Sequence, residues 1–322
     1  MINGKYKAVI LDGYAENPGD LSWSALEELC ETTVYSRTPP DLVLERAQGA
    51  DIIVTNKTPL TRQVLEKLPD LKFIALLSTG YNIADCAYAR ERGIPVSNIP
   101  AYSTNAVAQL VFAFILEFCN RVALHDASVK SGDWCKCLDF CYWKAPLTEL
   151  GGKTLGIIGF GKIGRAVSRI ALAMNMKVLC YAPSGTKPDA PGVEFAGRDT
   201  VISNSDFITL HCPLTEETTG MINRDFISKM KPEAYLINTS RGPVVNEAAL
   251  ADALNTGRIA GAAADVLSTE PPTLDNPMLT AKNCLLTPHI AWAGYETRAR
   301  LMDIFISNVK AFVDGAPQNV VN

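Results

Sequence analysis

The sequence predicts an α/β protein with two Rossmann-like, doubly wound parallel-sheet domains and an active site in the cleft between them. Short apolar runs alternate with helical stretches along most of the chain, which is typical of parallel sheets covered by helices on both faces. The spacing G-x-G-x-x-G, at Gly159, Gly161 and Gly164, separates one such run from a helical stretch. At 322 residues the chain exceeds one ordinary hydrophobic core, so we expect two domains and a ligand cleft.

The first hundred residues alternate strand and helix patterns and predict a complete α/β domain. The apolar runs that we assign to strands are 8–11, 33–35, 52–54, 73–77 and 95–96. The helical stretches between them lie near 23–30, 41–48, 61–67 and 84–92. Gly93 stands where a C-cap glycine is expected after the last of these helices.

The chain beyond Pro100 resumes the alternation around the glycine motif. The helical stretch 105–121 is apolar nearly all round, which predicts burial between domains or subunits. Further strands are expected at 154–158, 176–181, 207–211, 235–238, 259–264 and 284–286, and further helices near 162–174, 224–230, 246–255 and 296–312. The stretch 131–150 has no clear period, and we interpret it as a loop that could wrap around a partner subunit.

Composition and charge favour a globular enzyme over a nucleic-acid-binding or membrane protein. Apolar residues make up 48% and charged residues 20% of the chain, and the formal net charge is -4 with both signs mixed along it. The sequence shows neither a basic stripe nor a basic amphipathic face, so we expect no nucleic-acid partner and no membrane partner. The first residues run directly into a strand pattern without a signal peptide, which predicts a cytoplasmic location.

The nine cysteines are an odd number, and most of them lie inside apolar strand or helix patterns, where a buried reduced thiol is the ordinary state. Cys135, Cys137 and Cys141 cluster in the predicted loop. No second cysteine pair or histidine cluster accompanies them, so we expect no metal site. The role of this cluster stays open.

The glycine motif predicts a dinucleotide-binding turn. It follows the apolar run 154–158 and precedes the helical stretch 162–174. The glycines of such a motif permit a tight turn, close approach of the backbone to a pyrophosphate, and close packing of helix on strand. The first turn of the helix offers unpaired N–H groups and the positive end of its dipole to the phosphates.

Three residues at predicted strand ends form a candidate catalytic set. His289, in TPHIAWAG, is favoured over His125 and His211 as the acid/base, because His125 lies on a predicted helix and His211 is interpreted as a packed strand-end residue. Arg241, in NTSRGPVV, can hold a carboxylate through two parallel hydrogen bonds. Glu270, in DVLSTEPP, can orient the imidazole and favour its charged form. Taken singly, Arg241 and Glu270 would each be interpreted as an ordinary surface charge.

The chain resembles the D-2-hydroxyacid dehydrogenase family over essentially its whole length. Within that family it is most similar to the bacterial glycerate dehydrogenases, also called hydroxypyruvate reductases. The blocks that carry the resemblance are LSTGYNIAD (77–85), IPAYSTNAVAQ (99–109), GFGKIG (159–164), HCPLTEET (211–218), INTSRGPVVNEAAL (237–250), AADVLSTEPP (263–272) and TPHIAWA (287–293). The TGYN form of the first block and the AWA after the histidine favour glycerate as the substrate.

The resemblance implies a reaction and a set of site residues. A nicotinamide cofactor exchanges a hydride with C2 of a 2-keto acid, and His289, kept charged and aimed by Glu270, donates the proton. Arg241 holds the substrate carboxylate and the C2 oxygen, and backbone N–H groups around Ser78, Thr79 and Gly80 bind the carboxylate. The implied cofactor contacts, with Asp265 at the nicotinamide carboxamide, are Thr104, Gly159, Gly161, Lys162, Ile163, Gly164, Ala182, Cys212, Pro213, Thr218, Thr239, Ser240, Asp265, His289 and Ala291.

The choice between NAD(H) and NADP(H) depends on the end of the second strand after the glycines. NAD-dependent relatives usually carry an acidic residue there, which accepts hydrogen bonds from the adenosine ribose. This chain has Ala182 at that place, so the 2′-phosphate of NADP meets no repulsion, and Ser184, Thr186 and Lys187 could contact it. An arginine, the usual phosphate partner, is missing there. The sequence slightly favours NADP(H) or dual use.

The resemblance also implies the domain organisation and a dimer. We expect a flavodoxin-like substrate domain from residues 1–100 and 291–322, a dinucleotide-binding Rossmann domain from 101–290, and a homodimer. One alternative is a reductase of glyoxylate or another 2-keto acid. Another is a non-catalytic protein that senses NADH on the same fold, which the retained Arg241, Glu270 and His289 disfavour.

Overall fold

The computed structural model describes residues 4–182 and 189–322. The chain divides into two compact units. Unit 1 comprises Met1–Tyr102 and Ala293–Asn322, and unit 2 comprises Ser103–Trp292. Each unit is an α/β structure around its own parallel sheet, as the alternating sequence pattern predicts.

Unit 1 contains, within its described residues, a five-stranded parallel sheet in the order β2-β1-β3-β4-β5. Its strands are β1 (Tyr6–Ile10), β2 (Cys30–Val34), β3 (Ile52–Thr55), β4 (Phe73–Leu76) and β5 (Val96–Ser97). The helices between them are α1 (Ser24–Leu29), α2 (Val43–Ala47), α3 (Arg62–Leu65) and α4 (Cys86–Glu91). β3 and β4 are fully buried and match the predicted apolar runs, whereas β2 begins three residues before its predicted start. β2 is an edge strand with polar, partly exposed residues, so its hydrophobic pattern is weak and its start is hard to predict from sequence.

Unit 2 contains, among the residues described, a seven-stranded parallel sheet in the order β12-β11-β10-β9-β6-β7-β8. Its strands are β6 (Thr154–Ile158), β7 (Lys177–Tyr181), β8 (Val193–Phe195), β9 (Phe207–Leu210), β10 (Tyr235–Asn238), β11 (Gly261–Ala264) and β12 (Cys284–Leu286). Its helices are α5 (Thr104–Asn120), α6 (Val122–Lys130), α7 (Lys162–Ala173), α8 (Arg198–Asn204), α9 (Arg224–Lys229) and α10 (Glu247–Asn255). The chain winds from β6 to β7 and β8 on one side and then returns to β9 on the other. The glycine motif therefore lies at the topological switch point, where ligands of such sheets bind.

Helix α5 is explained largely by the core of its own unit. Val111, Ile115 and Phe118 belong to the hydrophobic cluster that α7 and the sheet of unit 2 also form. The apolar character of α5, which predicted burial between domains or subunits, thus serves packing within unit 2. Within the described part of the chain, no single helix is long and apolar enough to cross a membrane. Helices α5 and α6 reach that length and hydropathy only as a pair, which is bent by 52°.

The C-terminal segment completes unit 1. Helix α11 (Tyr295–Val313) returns to the first sheet, where Phe312 stacks on Phe73 with ring centroids 4.5 Å apart. Beyond the helix, Val320 forms an antiparallel bridge with Ser97. The last thirty residues therefore belong to the fold of unit 1, although the whole of unit 2 precedes them in sequence.

Candidate active site

The glycine loop after β6 has the geometry that a dinucleotide requires. Gly159 adopts φ = +97°, and a Cβ there would lie 2.7 Å from the carbonyl carbon of His211. A Cβ on Gly164 would overlap the carbonyl oxygen of Gly159, so this glycine permits the close packing of α7 on the loop. Gly161 differs from both, because a Cβ there would meet no protein atom within 4 Å. The protein's own packing needs two of the glycines, and the third leaves the backbone accessible to a pyrophosphate.

Helix α7 presents its N-terminus at this loop. Gly161 is the N-cap residue and offers no side chain to the first N–H groups of the helix, and Lys162 and Ile163 begin the first turn. A phosphate is the ligand that such an N-terminus favours, both by hydrogen bonding and by the helix dipole. The residues present therefore fit a nicotinamide dinucleotide.

The end of β7 has no carboxylate at the described position where a ribose partner is expected. Ala182 follows the strand directly and packs, half-buried, against the core of unit 2. Ser184, Thr186 and Lys187, which the sequence suggests as phosphate contacts, lie outside the described residues. Their role stays a prediction.

The segment after β9 forms a turn that its own side chains stabilise. The Thr218 hydroxyl donates to the Pro213 carbonyl at 2.7 Å and accepts from the Thr215 N–H at 2.7 Å. Cys212 is buried, and burial raises the pKa of its thiol. Thr218 and Pro213 are two of the expected cofactor contacts. In the structure Thr218 stabilises the turn, and Pro213 lies exposed on it.

The turn after β10 carries Arg241 and is organised by Asn238, a residue that the sequence analysis missed. The Asn238 side chain accepts from the Ser240 N–H and hydroxyl at 3.0 and 2.9 Å, and donates to the Arg241 carbonyl at 3.0 Å. One guanidinium N–H of Arg241 donates to the Ser240 carbonyl at 2.7 Å. No acidic side chain of the described residues lies within 4.0 Å of this guanidinium. Its remaining donors suit a carboxylate.

His289 and Glu270 form a direct pair in unit 2. Nδ1 of His289 and Oε2 of Glu270 are 2.6 Å apart, and the two side chains are about one-third exposed, at 30% and 33%. The other carboxylate oxygen of Glu270 accepts from the Leu267 N–H at 3.2 Å. The structure thus brings together two of the three residues that the sequence analysis combined, on loops that follow β11 and β12.

Asp265 fixes the loop on which His289 lies. Its carboxylate accepts from the Thr287 hydroxyl at 2.6 Å, from the Ile290 N–H at 2.8 Å and from the Ala291 N–H at 2.9 Å. His289 itself has φ = +53°, a left-handed conformation that favours glycine, so the loop needs such fixing. The expected contact of Asp265 with the carboxamide stays a prediction.

The turn after β4, in unit 1, exposes a row of backbone donors. The Ser78 hydroxyl donates to the Gly80 carbonyl at 2.6 Å, and the Thr79 hydroxyl donates to the Ile99 carbonyl at 2.7 Å. The Asn98 amide donates to the Thr79 carbonyl at 2.7 Å. The N–H groups of Ser78, Thr79 and Gly80 have no acceptor among residues 4–182 and 189–322. Successive free N–H groups of this kind can bind an anion.

The other two histidines, His211 and His125, have environments that do not suit an acid/base. His211 is half-buried with its Nδ1 fully buried, and burial lowers the pKa of its imidazole to about 3. His125 lies on α6, where Nδ1 is 2.8 Å from the Arg121 carbonyl and Nε2 accepts from the Lys144 N–H at 3.1 Å. The histidine that pairs with Glu270 is His289.

The fold and the site together define an oxidoreductase that uses a nicotinamide dinucleotide. The model of the NAD-binding domain of D-isomer specific 2-hydroxyacid dehydrogenases matches residues 112–291. The chain belongs to this family, whose members act on the CH–OH group of small 2-hydroxy acids and on the corresponding keto acids.

Similar proteins agree with that assignment. A hydroxypyruvate reductase from Blautia hydrogenotrophica is 49% identical over 98% of this chain and 99% of its own length. A glycerate dehydrogenase from Methylorubrum extorquens is 42% identical over 88% of each chain. Among solved structures, an NADPH-dependent glyoxylate/hydroxypyruvate reductase from Sinorhizobium meliloti, in complex with NADP and malonate, superposes with a TM-score of 0.83 at 28% identity, covering 98% of this chain and 97% of the other.

Proposed function

We propose that this protein is a D-2-hydroxyacid dehydrogenase that reduces hydroxypyruvate to D-glycerate in a reversible reaction. The single observation that carries the proposal is the 2.6 Å pair of His289 and Glu270, on the unit that also holds the dinucleotide loop and Arg241. The names of the two relatives above, at 49% and 42% identity, supply the substrate.

The side chains of unit 2 support a division of roles. Nδ1 of His289 faces Glu270, which leaves Nε2 to donate a proton to the C2 oxygen of the substrate. The negative charge of Glu270 stabilises the imidazolium and fixes the plane of the ring. Arg241 holds the substrate carboxylate and the C2 oxygen with its free donors. The nicotinamide cofactor, when bound, supplies the hydride that C2 receives.

The two parts of the chain have separate tasks in this proposal. Residues 1–100 and 291–322 form the substrate domain, in which the N–H groups of Ser78, Thr79 and Gly80 bind the carboxylate. Residues 101–290 form the dinucleotide domain. The free N–H groups of the turn after β4 and the open position at Gly161 support these assignments.

NADP(H), alone or together with NAD(H), is the cofactor that we propose. Ala182 offers no carboxylate to repel a 2′-phosphate or to bind the ribose 2′-hydroxyl. Ala182→Asp is expected to shift the ratio of kcat/KM values towards NADH by about tenfold or more, since the new carboxylate would repel the phosphate. An unchanged ratio would show that this position does not set the preference.

A homodimer is the assembly that we propose. Large apolar side chains are exposed in high density from α6 through the loop that follows, namely Val122, Leu124, Val129, Trp134, Leu138, Phe140, Trp143 and Leu147. An exposed apolar surface of this kind usually packs against another protein, and a second copy is the partner that is always available. Light scattering should find a dimer that Phe140→Glu weakens and Leu274→Glu, at an exposed position elsewhere, does not.

The first experiment compares initial rates of NADH and NADPH oxidation with hydroxypyruvate and with glyoxylate. We expect turnover of hydroxypyruvate to be the faster of the two. His125→Gln, which alters a histidine away from Glu270, is the matched control for His289→Gln and should keep the wild-type rate. Faster turnover of glyoxylate would favour glyoxylate reduction, an activity that the name of the Sinorhizobium relative also contains. No turnover of either acid would contradict the proposal.

A further inference from the structure

The loop that carries Glu270 is exposed, so something must hold its carboxylate in place. Residues 268–275 are all exposed to solvent. The hydrogen bond from the Leu267 N–H to Glu270 spans three residues, and Leu267 packs against the core of unit 2, so this contact secures only the start of the exposed stretch. An exposed loop without outside attachments would sample many conformations, and the 2.6 Å distance to His289 would not persist.

Glu247 provides the outside attachment at both ends of this loop. It lies in the first turn of α10, whose N-cap residue Asn246 accepts from the Ala249 N–H at 3.0 Å. One Glu247 oxygen accepts from the Ser268 N–H at 2.5 Å, and the other accepts from the Asn276 amide at 2.7 Å. The carboxylate thus joins the residue where the exposed stretch begins to the residue just after it ends.

The orientation of the Asn276 amide is fixed independently. Its oxygen accepts from the Met278 N–H at 2.9 Å, where it caps the short helix Pro277–Thr280. The amide nitrogen must therefore face Glu247, and a carboxylate is the acceptor that suits it.

The same segment also connects the loop to the turn of Arg241. Gly242 follows Arg241, and a Cβ on Gly242 would overlap the peptide between Leu267 and Ser268. Backbone contact at Gly242 and hydrogen bonds from Glu247 thus hold one loop from two sides. Residues 241–247 place Arg241 at one end and anchor the Glu270 loop at the other.

We propose that Glu247 is a positioning residue, which holds the Glu270 loop through Ser268 and Asn276 and so keeps the Glu270 carboxylate against His289. The inference rests on the proposed roles of Glu270 and His289. Glu247 acts through the loop and does not touch the reacting atoms.

A swap of the two side chains tests the hydrogen bond between them. Glu247→Gln would face the Asn276 amide with a second donor, and we expect kcat to fall about tenfold. Asn276→Asp would place two carboxylates against each other, with a similar loss. In the double variant Glu247→Gln/Asn276→Asp, the new amide donates to the new carboxylate, and the N–H groups of Ser268 and Met278 keep their acceptors. We therefore expect kcat to return to near the wild-type value. Leu274→Ala, at an exposed position on the same loop, is the matched control and should leave kcat unchanged.

Combination with Glu270→Gln separates positioning from general support of the fold. If Glu247 acts through Glu270, then Glu247→Gln has no further effect on kcat in a Glu270→Gln background. In Glu247→Gln alone, the KM for the cofactor and the midpoint of urea unfolding should stay near the wild-type values.

The outcomes distinguish this inference from the proposed function. A tenfold loss in Glu270→Gln with full activity in Glu247→Gln overturns the inference alone. Additive losses, or a double swap that stays impaired while it folds normally, also overturn it. Wild-type activity in Glu270→Gln contradicts the proposed function instead.

Discussion

His211 and His289 both follow strands of the same sheet, yet they have opposite environments. His211 is half-buried with its Nδ1 fully buried, its Nε2 lies 3.0 Å from the Thr209 hydroxyl, and burial lowers the pKa of the imidazole to about 3. His289 is about one-third exposed and faces the Glu270 carboxylate. A ring that stays neutral at neutral pH cannot deliver a proton there, whereas a ring beside a carboxylate and open to ligands can. Position at a strand end therefore does not identify an acid; exposure and partner do.

His289→Gln is expected to have the largest effect. Without an imidazole the proton of the C2 hydroxyl has no donor, so kcat should fall by roughly 10²–10⁴. The dissociation constant of the cofactor, measured by fluorescence titration, should change little, because the glycine loop is intact. A rate near wild type would remove His289 from the proton path and with it the contrast with His211.

Arg241→Ala is expected to affect binding and rate together. Its guanidinium has one contact with the Ser240 carbonyl, and its other donors are proposed to hold the substrate. Steady-state kinetics should show a rise in the KM for hydroxypyruvate and a fall in kcat, with a loss in kcat/KM of about 10²-fold, because hydrogen bonds to a charged group are lost. An unchanged KM would exclude Arg241 from the site.

Glu16→Gln tests whether burial also favours the neutral form of an acid in unit 1. Glu16 is fully buried, accepts a hydrogen bond from the Asn56 amide, and has its pKa raised to about 8 chiefly by burial. The folded protein therefore keeps a proton that the unfolded chain releases, so stability should fall as pH rises from about 4.5 to about 8.

The variant should remove this slope. Urea unfolding measures this effect. Between pH 5 and pH 8, the free energy of unfolding of Glu16→Gln relative to that of the wild type should rise by on the order of 3 kcal/mol. Glu28→Gln, at an exposed carboxylate, is the control and should follow the wild type. A pH dependence identical to that of the wild type would show that Glu16 is charged in the folded protein.

The sequence predicted most of the framework because its signals are local. Buried strands such as β3 and β10 have continuous apolar runs, and the glycine spacing identifies its turn directly. Strand ends led to Arg241, Glu270 and His289, because parallel strands direct the residues that follow them to one edge of a sheet.

The parts that were missed depend on contacts between distant segments. Strand β8 and helix α8 are short, and β8 lies at the edge of its sheet, so periodicity carries little signal for them. Glu247 is separated from Asn276 by 29 positions, and nothing local to Glu247 tells which loop it contacts. An acid in the first turn of a helix is ordinarily explained by the helix dipole alone.

Substitution of His211 should give the smallest effect and the clearest complement to His289. With its pKa lowered to about 3, the folded protein keeps the ring neutral while the unfolded chain binds a proton below about 6.5. Stability is therefore fully present above about pH 6.5 and lost as pH falls towards 3, by about 2 kcal/mol at pH 5. His211→Gln should reduce this acid sensitivity in urea unfolding while kcat at neutral pH stays near the wild-type value. Loss of kcat in a folded His211→Gln variant would give this histidine a part in catalysis and end the distinction between the two rings.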